Sequence, residues 1–244
     1  MALVHEFENA GNWLFKRRGW LPVILLIPTV LIIFLNKGSD LTFSLAEEMI
    51  FLGVTMTGQL VRALTVGFTP KNTSGRNVKG QVADQLNLTG IYSVVRHPLY
   101  VGNFLMWLGP VLFVRSVWFT VIVALVYWIY YERIMFAEEQ FLRRKFGNVY
   151  DEWSDKVRPF LPSFGNYKRP ELPFSFRNVV KREYNSFGSV FMVFALLDIL
   201  RNFSIYNEIT ITPLWLCLLI FGTCIWLFVR ILRKRTRLLN VRGR

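Results

Sequence analysis

The chain has 244 residues, of which 53% are hydrophobic and 18% charged, and its mean hydropathy is +0.35. Apolar runs of sixteen residues or more follow one another, which excludes an ordinary soluble domain and fits a single integral membrane domain over 1–244. The net charge of +13 would suggest nucleic acid in a soluble chain, but here the basic residues flank the apolar runs; lipid headgroups and topology account for them, and no nucleic-acid partner is expected.

Residues 1–18 carry Phe7, Trp13, Leu14 and Phe15 with a basic end, and read equally as an amphipathic interfacial helix or a solvated tail. Residues 20–35 form a first span, short and open to kinking at Pro22 and Pro28. No small-residue cleavage site ends it, so it reads as retained rather than as a signal peptide. After a polar turn at 36–44 comes a second span, 45–66, with Glu47 and Glu48 near one interface and Arg62 near the other, where it can snorkel. Residues 67–89 are polar and aperiodic, and a loop of that length is uncommon unless functional. A third span, 99–114, turns tightly at Arg115–Ser116 into a fourth, 117–131, whose helix should run on to Phe146 and be capped by Gly147. Residues 148–186 are charged and broken by prolines; 187–202 and 213–229 are the fifth and sixth spans. Cys217 and Cys224 lie too far apart on one helix to bridge each other and match no metal motif.

Charge orients the spans. The N-terminus, 67–98, 132–186 and the C-tail are basic, whereas 36–44, 115–116 and 201–212 are nearly neutral. The two sets alternate, which expects both termini in the cytoplasm.

The stretch GIYSVVRHPLYVG, 90–102, stands between the polar loop and an apolar run. Pro98 suits the first position of a helix, which puts His97 at its entrance. Arg96, His97 and the first helical N–H groups then form an electropositive mouth. Glu138–Glu139 is its complement on the same side, and the two stretches are expected to meet and hold one ligand. Plainer readings exist. A lone interfacial histidine is more often structural, and Glu139 can pair with Arg143 along the helix, leaving the other carboxylate to point inward. Glu132 and Arg133, nearer the bilayer, should face a bundle interior or polar cavity. Tyr150 and Trp153 suit an interfacial aromatic belt.

With the later stretch AEEQFLRRKFGNVYDEWSDKVRPFLPSF, this pattern resembles the membrane methyltransferases of the isoprenylcysteine carboxyl methyltransferase and phospholipid methyltransferase superfamily. The matching positions are Gly90, Tyr92, Arg96, His97, Pro98, Tyr100, Gly102, Glu138, Glu139, Leu142, Phe146, Gly147, Tyr150, Val157 and Pro162, with Trp153 where Tyr is usual. The resemblance covers about 45–165; the helix pair at 187–229 lies beyond it. It implies an all-α polytopic membrane protein of about six spans with a cytoplasmic-face pocket for S-adenosylmethionine, whose product is S-adenosylhomocysteine. Tyr92, His97, Pro98, Leu99, Tyr100, Gly102, Glu138, Glu139 and Tyr150 are the candidate cofactor-binding residues. Arg96, Arg133 and Glu132 are the candidate catalytic residues, Arg62 is a further holder of an anionic acceptor, and no metal is implied. The acceptor would be a membrane lipid or a lipidated substrate entering from the bilayer.

Membrane sterol reductases share R-H-P-x-Y and use a nicotinamide cofactor, but usually as R-H-P-N-Y; here Leu99 stands in place of the Asn. A scaffold or transporter is the third reading, and no repeated halves support a transporter. The acceptor stays open among an isoprenylated cysteine carboxylate, a phospholipid amine, a lipid-linked phosphate and a small hydrophobic carboxylate, with a lean to an anion. The 67–89 loop and the last two spans are the expected determinants of acceptor choice.

Overall fold

The computed structural model describes residues 2–35, 42–73 and 80–244; among them the regular structure is helical, with one isolated bridge between Gly90 and Lys168. The helices are α1 (Leu3–Arg17), α2 (Leu26–Leu35), α3 (Leu45–Phe68), α4 (Pro98–Leu112), α5 (Val117–Phe146), α6 (Asn148–Ser154), α7 (Phe176–Tyr206) and α8 (Pro213–Arg235). Most of the expected 36–44 turn, and the middle of the 67–89 loop with Gly75, Arg76 and Lys79, lie outside the described residues.

Four helices (α3, α5, α7 and α8) are long and apolar enough to cross a membrane. α1 and the segment 21–35 pass the same test only as a pair, bent by 82°. α4 is apolar but has 15 residues, short of the roughly 20 that a bilayer core requires. All six expected apolar runs are thus helical, but crossing length is met by four helices, or five with the bent pair.

α1 is a folded helix on α5, not a solvated tail. Gly11 lies so close to the Arg133 carbonyl and Ala137 that any side chain would collide. Phe7 meets Phe136 edge-on at 5.8 Å, and Glu8 pairs with Arg144. α3 begins with a capping box in which the Ser44 side chain accepts the Glu47 N–H and the Glu47 carboxylate accepts the Ser44 N–H at 2.9 Å. In lipid, helices associate through close packing rather than by escaping water, and the α3–α4 crossing fits that rule. Gly58 faces the Gly102 carbonyl, and Gly109 faces the Thr55 side chain and the Phe51 carbonyl.

At the far end of the bundle an aromatic core joins α2, α4, α5, α7 and α8 around Phe113, Phe194 and Trp215, the last two stacked 4.8 Å apart. Beside it Arg201 bridges Glu48 at 2.8 Å and Asp198. Asp198 also accepts the Thr212 amide at 2.7 Å and its hydroxyl at 3.0 Å. Buried charges of this kind persist only when paired, and this set ties α3, α7 and the start of α8 together.

Candidate active site

The Arg96–His97 turn is fixed first by the main chain. Gly90, at φ +63°, admits the turn that leads into it. Its N–H donates to Lys168 C=O at 2.8 Å, Arg96 N–H to Arg158 C=O at 2.9 Å, His97 N–H to Pro159 C=O at 3.1 Å, and Ser163 N–H to Val94 C=O at 2.9 Å. The 158–168 segment therefore splints the turn along its length. His97 then precedes Pro98 at the start of α4, and its carbonyl accepts the Tyr100 and Val101 amides.

α5 supplies the carboxylates. It runs unbroken to Phe146 and is ended by Gly147 at φ +53°, whose N–H returns to Arg143 C=O. The expected Glu139–Arg143 pair does not form. α6 folds back and gives Arg143 a different partner, Asp151, at 2.7 Å. Glu139 instead lies 2.9 Å from His97 Nε2 and 3.1 Å from an Arg96 terminal nitrogen, while Glu138 lies 3.5 Å from His97 Nδ1. Burial works to lower the His97 pKa, but the hydrogen bonds and charge of both carboxylates outweigh it and raise it above the ordinary 6.5. The Tyr150 hydroxyl is pushed up by burial and by Glu139. That of Tyr92 is pushed up by burial and by Glu138, with Arg182 opposing.

A cavity of about 670 Å³ opens from this cluster. Tyr92, Arg96, His97, Pro98, Leu99, Tyr100, Glu138 and Tyr150 line it. Glu139 stands behind Arg96 and His97 and is not part of the wall. Gly102 faces α3, where a Cβ would meet Arg62, so its bareness serves helix packing rather than backbone approach to a ligand. Glu132 and Arg133 are also away from the wall: they pair with each other at 3.5 Å, and the Arg133 guanidinium covers the Phe7 ring on α1. Arg133 is thus covered by α1, whereas Glu132 is exposed and does not face the interior.

The wall includes residues that the motifs did not point to. Asn103, Met106, Trp107 and Pro110 carry it along α4, and Thr55, Arg62 and Val66 along α3. Residues 81–83 and 85–87 close it on the loop side. α7 adds Arg182, Glu183, Ser186, Val190 and Val193. Arg62 is anchored to Glu183 at 2.8 Å and to Asn103, and Gln59 joins Glu183 at 3.2 Å and Ser186 at 3.1 Å. Glu183 and Ser186 lie more than 120 residues from their α3 partners in sequence; the local signal is an ionisable residue, Glu183, leading into an apolar run. Gly19, Val23, Asn185 and Ser189 line the cavity and are themselves exposed, so it opens sideways between the 19–23 segment and α7.

At the Arg96 end, Arg96 Nε is buried without a hydrogen-bond partner among the described residues. Such an atom calls for a ligand or water. With Glu138 as acceptor and the Tyr100 and Trp153 rings nearby, this donor, acceptor and aromatic set suits a zwitterionic, cationic, ribose-bearing molecule. S-adenosylmethionine fits that description. Among the described residues, no group of three or more His, Cys, Asp or Glu side chains is placed to hold a metal ion.

Residues 42–149 match the phospholipid methyltransferase family model. The chain is 31% identical over 112 residues to the protein-S-isoprenylcysteine O-methyltransferase of Schizosaccharomyces pombe, a match covering 46% of this chain and 48% of that protein. It is 34% identical over 121 residues to a probable protein-S-isoprenylcysteine O-methyltransferase of Oryza sativa subsp. indica, covering 46% and 60%. It is also 28% identical over 152 residues to the nickel-cobalt-cadmium resistance protein NccN of Alcaligenes xylosoxydans xylosoxydans, covering 61% and 65%. The chain thus spans about half to two thirds of the length of these relatives. No solved structure matches it. Residues 42–149, which match the phospholipid methyltransferase family model, hold both the Arg96–His97 turn and the Glu138–Glu139 pair, and over about half of its length the chain is similar to isoprenylcysteine O-methyltransferases.

Proposed function

We propose that the protein is a membrane methyltransferase that moves a methyl group from S-adenosylmethionine to an anionic oxygen on a lipid or lipidated acceptor, at the cytoplasmic face. The observation that carries this reading is the cavity itself. One end gathers Arg96, His97, Glu138 and Tyr150; the other follows α4 to Pro110 among apolar side chains and opens sideways. A polar cofactor and a membrane-borne acceptor can reach one space.

Bound at the Arg96 end, S-adenosylmethionine would supply a methyl group on a sulfonium; an ionised acceptor oxygen would bond to the methyl carbon as the C–S bond breaks, with S-adenosylhomocysteine leaving as the neutral thioether and no proton to remove. Glu138 would hold the ammonium or the ribose hydroxyls, Arg96 Nε the carboxylate, and the Tyr100 and Trp153 rings would favour the cationic centre. Glu139 holds Arg96 and His97 in place from behind. The carboxylates on the wall are already engaged, Glu138 with His97 and Glu183 with Arg62. A carboxylate or phosphate acceptor, already ionised, needs no base, which favours it over an amine. Charge agrees: Arg18, Arg62, Arg96 and Arg182 line the cavity against Glu138 and Glu183. The enzyme's part is to align donor and acceptor and to exclude water.

Calorimetry of the detergent-purified protein with S-adenosylhomocysteine, and with NADPH as comparator, tests the donor. Micromolar binding of S-adenosylhomocysteine, lost in Glu138→Ala, is expected. Binding of NADPH alone would turn the reading to a reductase.

A further inference from the structure

α7 lies outside the family segment 42–149, yet one stripe of it walls the cavity. Arg182, Glu183, Ser186, Ser189, Val190 and Val193 recur at the three-to-four-residue spacing of a single helix face. The stripe changes character along its length: charged at 182–183, neutral polar at 186–189, apolar at 190–193. Eleven residues separate its ends, about 16 Å along a helix axis. On α4 the wall changes in the same sense, from Asn103 to Met106 and Pro110, while α3 contributes Val66, Arg62 and Thr55. Hydrogen bonds hold the walls in register, from Glu183 to Arg62 and from Ser186 to Gln59, with Ser186 also 3.7 Å from Met106 Sδ. Arg182 lines the cavity, near enough to Tyr92, at the cofactor end, for its charge to act there in opposition to Glu138.

We propose that this α7 stripe is the acceptor site: Arg182 holds the anionic headgroup next to the cofactor end, and the apolar chain passes the Ser186 level to end among Val190, Val193, Met106 and Pro110. The ligand class is an amphiphile with a carboxylate or phosphate head. The stripe belongs to the added helix pair, so it sets this chain's acceptor choice apart from its cofactor use. The inference rests on the methyl-transfer reading for its place in the reaction, but the lipid site itself can be tested separately.

The test uses the full chain in phosphatidylcholine nanodiscs, with palmitic acid carrying a diazirine near its methyl end as the photoprobe. Hexadecyl phosphate and hexadecyltrimethylammonium are the competitors, and cross-links are located by peptide mass spectrometry. Labelling within 190–193 or 106–110 is expected, displaced by the phosphate and not by the ammonium; stronger competition by hexadecyl phosphate than by unlabelled palmitate would name the head as a phosphate, and the reverse as a carboxylate. Arg182→Ala should weaken labelling about tenfold, as loss of a charge-assisted bond implies, while Arg182→Lys restores part of it and S-adenosylhomocysteine affinity stays unchanged in both. Val193→Trp should reject the long probe and accept a shorter one. Label spread over the lipid-facing surface would overturn the proposal, as would an Arg182→Ala variant that loses S-adenosylhomocysteine and keeps the amphiphile. If the wild type binds no S-adenosylhomocysteine while labelling still depends on Arg182, the lipid site stands and the donor reading falls.

Discussion

Glu139 reaches back across 42 residues to place a carboxylate oxygen 2.9 Å from His97 Nε2. The neighbouring Glu138 meets the other ring nitrogen at 3.5 Å. One imidazole thus joins the start of α4 to the end of α5, and only one of the two carboxylates, Glu138, also borders the cavity. The division of work between two adjacent glutamates is the basis of the first prediction.

Glu138→Gln should weaken S-adenosylhomocysteine binding about tenfold or more through loss of a charge-assisted contact, with a small change in stability. Glu139→Gln should do the reverse, because it leaves Arg96 and His97 without their anchor. We expect a loss of about 1–3 kcal/mol in unfolding free energy and a lesser change in affinity. Calorimetry and denaturant melts on both variants check this, and equal effects on binding would refute the division.

The His97 pKa is raised in the folded protein above its ordinary 6.5. A raised folded value means the protonated form is favoured by folding, so the contribution is full below the unfolded pKa and fades as pH rises through the folded one. The stability gap between wild type and His97→Gln should therefore be widest on the acid side of 6.5 and narrow above the folded pKa. Thermal melts of the two proteins across that range give the answer; a gap that widens with rising pH would contradict the pairing.

Gly58 and Gly53 lie on the same helix in opposite circumstances. A methyl at 58 would strike the Gly102 carbonyl and the Met106 amide, whereas nothing lies within 4 Å of a methyl at 53. Gly58→Ala should destabilise the bundle by about 1–3 kcal/mol, while Gly53→Ala should be neutral or stabilising by up to about 1 kcal/mol. Unfolding of the two variants in detergent is the direct comparison.

Arg201 lies nineteen residues beyond Arg182 on α7, about 28 Å along the axis. Arg201→Ala strands two buried carboxylates, Glu48 and Asp198, and should cost about 3–5 kcal/mol of stability. Because the set lies at the far end of the bundle, the folded fraction should bind S-adenosylhomocysteine with unchanged affinity. Loss of affinity in properly folded protein would show that the two ends are coupled.

How far the sequence told this in advance depends on the reach of each interaction. The Pro98 helix start, the continuous helix to Gly147, and the meeting of 96–97 with 138–139 were legible, because residue type and local spacing encode them. An i,i+4 pair of Arg143 with Glu139 is one option that spacing allows, but Arg143 meets Asp151, since the direction of the chain after Gly147 is set by a dihedral angle that spacing does not reveal. Arg133 suits an interior position by its depth, yet it packs against Phe7 of α1, a contact between segments more than 100 residues apart. Gly102 carries no mark to tell a packing glycine from one that admits a ligand. The α7 wall was hidden for the same reason: Arg62 and Glu183 are 121 residues apart, and only the folded chain brings them together.

The most direct test of the central claim is transfer itself. The protein, reconstituted in bilayers made from lipids of its expression host, would be given S-adenosylmethionine labelled in the methyl group, and the label followed into the organic extract. The account predicts label in that extract bonded to oxygen as a methyl ester, and absent in Glu138→Gln. Label on nitrogen, or no label in lipid from protein that binds S-adenosylhomocysteine, would contradict it.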